Sequence, residues 1–439
     1  YATGQQLTDV ENVVGQMDAE VKTNTLNVQT ILAYLDSIVV GGEGSETESG
    51  HTHSNFNVLE TITLSKIAEW DSKSNNDLTV NLEKYQHLVI DGDWTNAIQF
   101  AIDSGVKHLI FDEKTYFVSK RGQDESSKDY CVLINQKQNI TIECRRGAKL
   151  AIDFSLDNLP NIFCIQNSSN VKLLNINGEG VKTRQSGNQS ELYTGGCIRI
   201  YKSDHVVVDG GRLHNLLYGV QCFNSEFCTI QNTTFTHDYY RESWLSGAVP
   251  FSAIILYSVA HSNVLNNTIF GGLRDGDLSI FGGSTYKCTV QNNKLYGYGY
   301  NNEAKQSTYL GQGLTVDQGP ACCHITDNSI YGYYFGIDLK ADTYDCLVSR
   351  NIIENCKCAI ADRQGEATHV KETLGHIIEL NKIIMHDSWS ADYKLYGTYH
   401  MMGIVCEKRQ MAIIRHNHIT VRNITGGAIV RTPICGIYI

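Results

Sequence analysis

From residue 196 onward, the chain repeats a six-residue pattern of apolar and polar positions. The pattern is an apolar residue, two mostly polar residues, Asn, one further residue, and then Ile or Leu. It occurs at residues 264–269, 290–295, 325–330, 348–353, 378–383 and 414–419. Its asparagines are Asn267, Asn293, Asn328, Asn351, Asn381 and Asn417, which lie 26, 35, 23, 30 and 36 residues apart. Copies every twenty-odd residues, with insertions, predict a repeat protein in which each copy is a strand, a tight turn and the start of another strand.

A second kind of strand is predicted in six further segments, because residues there alternate between apolar and polar. These segments are residues 219–224, 253–258, 313–317, 336–340, 403–407 and 427–431. Alternation with period two buries one face of a strand. The pattern therefore predicts a solenoid of stacked strand coils, in which the recurring Asn forms a ladder that bonds one coil to the next.

An alternative is that these asparagines are only turn formers, since Asn tolerates the left-handed backbone conformation. Both interpretations make them part of the scaffold.

The first forty residues have a different periodicity. Core positions of a heptad recur at alternating spacings of three and four, and all but Asn24 are apolar: Leu7, Val10, Val14, Met17, Val21, Asn24, Val28, Ile31, Leu35 and Ile38. This heptad pattern predicts a coiled coil over residues 1–40, and its β-branched residues at both core positions favour a parallel homotrimer with Asn24 fixing the register. The alternative is one amphipathic helix packed on a domain.

Residues 41–90 are predicted to be a flexible linker and a neck with a short helix. Residues 41–50 are rich in Gly, Ser and Glu, which is typical of flexible linkers. On a threefold axis, His51 and His53 would supply six imidazoles to one structural metal ion. The alternative is that both are solvent-side residues before a helix cap. No cofactor is otherwise required by the sequence.

Composition narrows the class of protein. With 439 residues and a net charge of −11, the chain has no basic stripe that would neutralise nucleic acid. No apolar run approaches the ~20 residues that a membrane span needs, so membrane insertion is not expected.

The 14 cysteines fall at single strand positions, such as Cys222, Cys288 and Cys406. We interpret them as reduced, buried thiols, which indicates folding in a cytosol. Because the sequence begins at Tyr1 rather than at a methionine, it is compatible with an upstream segment or a signal peptide.

The segment from residue 93 carries a family resemblance. Residues 93–104 have the pattern of an amphipathic helix with an acidic cap, closed by Gly105 and followed by strands at 107–111 and 115–118. The phrase Asp-x-Thr-x-Ala-Ile-Gln-x-Ala-Ile, with Thr-Tyr-x-Val-Ser after it, resembles the opening of β-helices of the pectate-lyase superfamily, above all those of bacteriophage tailspikes. The resemblance covers residues 90–439 and departs at residues 112–114, where relatives carry Pro and Gly.

The resemblance implies an all-β fold: a right-handed, single-stranded parallel β-helix at residues 91–439, with a capping helix at 93–104 and the trimeric coiled coil before it. It also implies a phage tail appendage that is assembled in the bacterial cytoplasm and joins other virion tail proteins through its N-terminus. Such a protein would bind and depolymerise a bacterial surface polymer, either a capsular polysaccharide, an exopolysaccharide or a wall teichoic acid. The alternatives are a receptor-binding spike that cuts nothing, and a secreted polysaccharide hydrolase or lyase.

Long insertions mark where binding is expected. They occupy residues 184–195, 236–251, 299–312 and 387–401, and loops on a rigid scaffold commonly carry function. The candidates for substrate binding here are Tyr239, Tyr240, Glu242, Trp244 and Tyr309. Aromatic rings stack on sugar rings; the alternative is that they pack the loops onto the coils or fill an interface between copies.

The candidate catalytic groups are carboxylates beside those loops. Alternation points Asp317 and Asp338 outward on adjacent coils, 21 residues apart. One rung and a two-residue offset separate them by about 8 Å, which suits a general acid and a general base. Asp277 and Asp275 are further candidates. The remaining predicted substrate contacts are Lys340, Arg363 and Gln312. The alternative is a solvated acidic face.

A second, partial resemblance concerns the same strands. Residues 276–280, 311–316 and 336–340 are similar, in the same order, to three phrases of polygalacturonases. The chain departs from them at Leu278, Gln312 and Asp338, which stand in place of Asp, His and Arg. This resemblance supports an enzyme on this face but does not imply that substrate.

Overall fold

The computed structural model describes residues 79–152, 160–180, 196–216, 218–236, 252–271, 276–297, 311–340, 342–363, 375–386, 401–407, 412–422 and 434–438. The predicted coiled coil, the linker and neck up to residue 78, and the candidate metal ligands His51 and His53 lie outside the described residues. The trimer and its axial metal ion therefore stay predictions.

The described residues form three long sheets, named A, B and C here, with two short helices at one end. Sheet A contains the strands Thr79–Asn81, His108–Phe111, Gln138–Cys144, Ser169–Leu174, Val207–Asp209, Thr229–Gln231, Asn263–Leu265, Thr289–Gln291, His324–Thr326, Leu347–Ser349, Ile377–Glu379 and Ile413–Arg415. Sheet B contains Thr115–Val118, Lys149–Ile152, Gly178–Glu179, Arg212–His214, Thr234–Thr236, Thr268–Phe270, Lys294–Tyr296, Ser329–Tyr331, Ile352–Glu354, Lys382–His386 and His418–Arg422. Sheet C contains Gly122–Gln123, Asp129–Asn135, Asn161–Gln166, Gly196–Tyr201, Tyr218–Phe223, Ser252–Tyr257, Leu278–Phe281, Gln312–Asp317, Phe335–Leu339, Cys358–Arg363, Met401–Glu407 and Ile434–Tyr438.

Each coil contributes one strand to each sheet, and each strand pairs in parallel with its equivalents in the coils before and after it. Val264 of sheet A, for example, pairs with Ile230 on one side and Val290 on the other. The hairpin of Gly122–Gln123 with Asp129–Asn135 is antiparallel and stands outside this scheme. Strands that repeat in the order A, B, C and stack in register form a parallel β-helix, which confirms the predicted fold of this part of the chain.

The core is a continuous column of apolar side chains inside the three sheets. Each six-residue pattern supplies two of them, such as Val264 and Ile269, and the alternating strand supplies others, such as Ile254 and Leu256. All four are fully buried. Burial of aliphatic side chains at regular intervals is the main stabilising term for such a stack, because each coil covers the apolar edge of the next.

The predicted Asn ladder is present. Asn267 Nδ2 donates to Asn293 Oδ1 at 3.0 Å, and the bond recurs from Asn293 to Asn328, then along Asn351, Asn381 and Asn417 at 2.9–3.0 Å. Each Oδ1 also accepts the backbone N–H of the preceding ladder Asn.

The left-handed backbone conformation belongs to a neighbouring residue instead. At each ladder turn it falls on the residue before the ladder Asn: Asn266, Asn292, Asp327, Arg350, Leu380 and His416 have φ between 55° and 59°. The role of the ladder Asn is therefore to form side-chain hydrogen bonds, not to adopt the left-handed backbone conformation.

One end of the stack is closed by helices. The capping helix Thr95–Asp103 begins after Asp93, whose Oδ1 accepts the Thr95 N–H at 2.8 Å, and it ends near Gly105, where φ is 87°. A 3₁₀ helix, Leu82–Leu88, packs beside it. The first strand, Thr79–Asn81, already pairs with His108–Phe111 of sheet A, so the solenoid starts before the predicted boundary at residue 91. This strand was not predicted because it lies outside every copy of the six-residue pattern.

All fourteen cysteines lie in the described part of the chain and none forms a disulfide. Twelve are buried, including Cys222, Cys288 and Cys406, whereas Cys322 and Cys435 are half-buried. Burial raises the pKa of the Cys144 thiol to about 12. The prediction of buried, unpaired thiols is confirmed for these residues.

Candidate functional site

Four aromatic side chains form a continuous column on the outer face of sheet C. They occupy the last position of consecutive strands: Tyr201 pairs with Phe223, Phe223 with Tyr257, and Tyr257 with Phe281. We call these four residues the aromatic column. Tyr257 is 40% exposed and the other three are half-buried. The next residue in the same register is Asp317, which pairs with Phe281, so the column leads directly to a carboxylate.

The column is bounded at its N-terminal end by the loop of the antiparallel hairpin. Arg199, beneath that loop, donates to Asp124 Oδ2 at 2.8 Å and to Ser126 Oγ at 2.8 Å. Its guanidinium also lies 4.4 Å from the ring centroid of Phe223. Burial raises the pKa of Asp124, but hydrogen bonds from the Lys128 backbone and from Arg199 outweigh it and hold this pKa below its ordinary value. The hairpin loop is therefore fixed over this end of the face.

The C-terminal end of the column meets a charged cluster built around Asp338. Ile337 and Leu339 point into the core, so Asp338 lies on the outer face as predicted. Arg363, one coil further on, donates from Nε to Oδ1 at 2.7 Å and from Nη2 to Oδ2 at 2.5 Å. The Asp338 side chain is fully buried, whereas 25% of the Arg363 side chain is exposed. A buried carboxylate of this kind is tolerated because the guanidinium matches both of its oxygens.

Lys340 completes this cluster on its exposed side. Its Nζ lies 3.6 Å from Asp338 Oδ2 and donates to Gln312 Oε1 at 3.0 Å, and 21% of its side chain is exposed. Thr315 Oγ1 donates to the same Gln312 oxygen at 2.5 Å. Gln312, Asp338, Lys340 and Arg363 are thus brought together as the sequence predicts. They present two partly exposed cations to the end of the aromatic column.

Asp317 lies on the same face, between the aromatic column and Lys340. Thr315 pairs with Asp338, and the Lys340 N–H donates to the Val316 carbonyl, which gives the predicted offset of one coil and two residues between the two carboxylates. Partial burial raises the pKa of the Asp317 carboxyl above its ordinary value, against the lowering influence of Lys340. The repulsion by Asp338 adds to the rise. A carboxyl in this environment keeps its proton to higher pH than an exposed one.

Asp277 lies elsewhere. It is fully buried, its Oδ2 accepts the hydroxyl of Tyr333 at 2.5 Å, and Tyr333 belongs to the core. The corner before Leu278 directs the side chain toward the core, where strand alternation no longer applies. Asp277 is therefore not among the residues that the structure brings to the outer face around Asp317. The other candidates Asp275, Tyr239, Tyr240, Glu242, Trp244 and Tyr309 lie outside the described residues.

The sequence contained a signal for the aromatic column that was not used. Tyr201, Phe223, Tyr257 and Phe281 each end an apolar segment and stand directly before a residue with positive φ. The aromatic residues predicted to bind substrate were those of the long insertions. In a solenoid, equivalent residues of successive coils lie on top of one another. Residues at the same position of successive strands are therefore predicted to be neighbours more securely than residues in the insertions are.

Two kinds of site are absent from the described residues. No group of three or more His, Cys, Asp or Glu side chains there is arranged to hold a metal ion. Likewise, none of the helices in the described ranges is both long and apolar enough to cross a membrane.

Comparison with solved structures identifies the fold. Two mannuronan C-5 epimerase A-modules from Azotobacter vinelandii are similar to this chain. The AlgE4 module has a TM-score of 0.53 and 16% sequence identity, covering 81% of this chain and 96% of its own. The AlgE6 module has a TM-score of 0.52 and 15% sequence identity, covering 82% of this chain and 98% of its own. DFA-IIIase from Arthrobacter chlorophenolicus A6, in complex with GF2, has a TM-score of 0.53 and 13% identity over 83% and 92%. The chain thus has the right-handed parallel β-helix fold. No family model matches the sequence, and no curated protein matches it.

Proposed function

We propose that this protein is a tailspike-like depolymerase that binds a polysaccharide or teichoic acid of the bacterial surface along sheet C and cleaves it beside Asp317. The observation that carries the proposal is the register of Phe281 with Asp317. It joins a row of aromatic rings to a carboxyl whose pKa is raised. The row suits a chain of sugar rings, because aromatic faces and edges offer apolar surface beside polar groups.

The aromatic column sets the direction of the polymer. Successive rungs are ~4.8 Å apart, so the rings from Tyr201 to Phe281 span three rungs parallel to the solenoid axis. A polymer bound along them would lie parallel to that axis. The fixed hairpin loop around Asp124 and Arg199 closes one end of this path. The bond to be cut would then lie near the other end, beside Asp317.

Asp317 is proposed as the proton donor. Its raised pKa favours the protonated carboxyl, which can transfer that proton to the leaving oxygen as the bond to the sugar breaks. Water then supplies the oxygen that adds to the cleaved centre. For a teichoic acid, the same proton would serve the leaving oxygen of a phosphodiester.

Asp338 has a different proposed role from membership of the acid and base pair that the sequence suggested. Both of its oxygens accept hydrogen bonds from Arg363, so the carboxylate is engaged and fully buried. It would act as a positioning residue that fixes Arg363, while Lys340 and the exposed part of Arg363 would contact an acidic group of the substrate. The water-activating group is then to be sought among the acidic residues of the insertions, with Glu242 as the first candidate.

The activity is tested by incubating the protein with purified envelope polymers from a panel of bacteria and following their size distribution. Asp317→Asn should bind the responsive polymer but reduce turnover by ~10² or more, since general acid catalysis contributes on this scale. Turnover within about twofold of the parent would remove Asp317 from the mechanism.

The proposed assembly is a homotrimer joined through residues 1–40 and attached to other tail proteins by the same end, in a virion assembled in the bacterial cytoplasm. The heptad pattern supports this proposal. Light scattering coupled to size-exclusion chromatography should give three copies per particle at micromolar concentration. A monomer under those conditions would contradict it.

A receptor-binding spike that cuts nothing is the second candidate. The full engagement of Asp338 by Arg363 favours it, because that carboxylate is not free to activate water. A polymer that binds but keeps its length across the whole panel would select this function over cleavage.

A further inference from the structure

A second aromatic row lies on the outer face of sheet B, away from the sheet C cluster. Phe270 pairs with Tyr296, and Tyr296 pairs with Tyr331. The residue before each of them, Ile269, Leu295 or Ile330, belongs to the core. The three side chains are 41%, 36% and 38% exposed. The Phe270 and Tyr296 rings stack with centroids 5.1 Å apart and planes inclined by 16°. This row is not part of the proposed active site.

The row ends in a depression rather than in a continuous apolar surface. The depression has a volume of about 370 Å³ and is lined by Tyr296, Tyr331, Ile352, Ser329 and Glu354, with Ile330 also contributing. The Tyr331 ring makes an edge contact with His386, and its hydroxyl accepts a hydrogen bond from Asn355. A space of this size, with apolar walls and few polar groups, is typical of small-ligand sites.

The polar groups of the depression are arranged as acceptors. Glu354 Oε1 is fixed by His386 Nε2 at 2.8 Å and by Arg422 Nη1 at 3.0 Å. Neither Glu354 Oε2 nor the Ser329 hydroxyl has a hydrogen-bond partner within the described ranges. Glu354 is therefore an oriented carboxylate with one oxygen available, and only 26% of its side chain is exposed.

We infer that this depression is a carbohydrate-binding site for one neutral sugar unit of a glycan, separate from any site of cleavage. The apolar face of the pyranose packs against Tyr331 and Tyr296, and its hydroxyls donate to Glu354 Oε2 and exchange a hydrogen bond with Ser329. A neutral sugar is specified because its hydroxyls can donate to Glu354 Oε2, whereas the oxygens of a carboxylate or sulfate group carry no proton to donate to it. An apolar partner protein is disfavoured, since it would bury the available carboxylate oxygen without a donor.

The site does not depend on catalysis, so it is tested with the full chain carrying Asp317→Asn. The probe is an array of neutral hexose and N-acetylhexosamine oligosaccharides of four to six units, beside uronate-containing oligosaccharides of equal length. Binding to neutral members is expected, and calorimetry on the best one gives its affinity. Binding to none of the neutral members, or to the uronate-containing members alone, would overturn the assignment.

Substitutions locate the binding on sheet B. Tyr331→Ala and Glu354→Gln should each weaken it by about tenfold, the effect of losing one good contact. Tyr331→Phe keeps the ring and should keep most of the affinity. Glu354→Gln covers the case in which Tyr331→Ala fails to fold, because it tests the site without removing the ring. Phe227→Ala is the matched control, because Phe227 is a 45% exposed aromatic outside this depression.

Two results would overturn the assignment after binding has been detected. Affinity equal to that of the control in both Tyr331→Ala and Glu354→Gln would place the sugar elsewhere. A change in particle mass by light scattering in Tyr331→Phe or Glu354→Gln, without a change in affinity, would identify the surface as a contact between copies of the chain.

Discussion

Asp338 and Arg363 lie on consecutive coils and form a two-point ion pair on the outer face of sheet C, with N–O distances of 2.7 and 2.5 Å. The same geometry recurs between Asp327 and Arg350 at the turn after sheet A, where both distances are 2.8 Å. The two pairs differ in burial: the Asp338 side chain is fully buried, whereas that of Asp327 is 32% exposed. The chain thus contains a buried ion pair and an exposed control with matching geometry.

Asp338→Asn should destabilise the solenoid measurably. It removes the charge that faces Arg363 in a buried setting, and loss of hydrogen bonds to a charged group costs about 2 kcal/mol. Asp327→Asn should cost less than about 1 kcal/mol, because exposed ion pairs contribute little. Chemical denaturation of both variants checks the difference. Equal losses would show that burial does not govern the pair at Asp338.

Asn328→Ala should be among the most damaging single changes in the solenoid. Asn328 is fully buried, its Nδ2 donates to Val290 and Asn351, and its Oδ1 accepts two bonds from Asn293. Leaving these groups without partners costs about 3 kcal/mol or more, at 1–3 kcal/mol per buried group. Urea unfolding measures the loss.

Asn417→Ala is the control for the ladder, because Asn417 is half-buried and, among the described residues, donates to no further ladder Asn. Its loss should be clearly smaller than that of Asn328→Ala. A loss as large as that of Asn328→Ala would argue against burial as the source of the ladder's strength.

Tyr257→Ala and Phe281→Ala should weaken binding of a long polymer more than binding of a short oligomer. A long chain contacts several rings of the aromatic column, whereas a short one occupies only the cluster around Lys340. Comparison of KM on polymer and on the shortest cleaved product measures the effect, which should reach about tenfold per ring for the polymer. Phe227→Ala serves as the control. Equal effects on both lengths would place the polymer off the column.

Thiol alkylation of the native protein should modify Cys322 and Cys435 first. These two are half-buried, whereas the other twelve cysteines are buried. The thiolate is the reactive form, and burial raises the thiol pKa, for example to about 12 at Cys356. Peptide mass spectrometry after brief treatment with iodoacetamide reads the pattern. Early modification of Cys356 or Cys288 would contradict the packing described.

The sequence predicted the scaffold because repetition averages out local ambiguity. One six-residue pattern would suit many folds, but equivalent positions such as Asn293 and Asn328 recur in register, and so the ladder and the coil spacing follow. The outward positions of Asp317 and Asp338 came from the same alternation. The short strand Thr79–Asn81 was missed because it belongs to no copy of the six-residue pattern.

The side-chain contacts within the site could not be predicted from the alternation of apolar and polar residues along the strands. Alternation states which face a side chain occupies, but not whether a neighbour covers it, so the full burial of Asp338 under Arg363 could not be predicted. It also fails at corners, where Asp277 turns toward Tyr333. Such positions depend on backbone direction over one or two residues, for which no periodic signal exists.

The raised pKa of Asp317 gives a signed pH dependence. In the folded protein the protonated carboxyl is favoured, so between the unfolded and folded pKa values the native state binds more protons and its stability falls as pH rises. Above the folded pKa, the ionised carboxylate is a constant cost. Asp317→Asn should therefore be at least as stable as the parent at neutral pH while losing turnover, a combination that a merely structural residue would not produce.

Turnover should fall on the alkaline side as Asp317 loses its proton, with a midpoint above the ordinary carboxyl pKa. Lys340→Met removes the cation that lowers this pKa, so the alkaline limb should move to higher pH, whatever its effect on substrate affinity. The measurement is kcat/KM against pH for the parent and Lys340→Met, with Lys294→Met on sheet B as the control for loss of one positive charge. An alkaline limb that stays in place in Lys340→Met, or moves equally in the control, would mean that another group carries the proton.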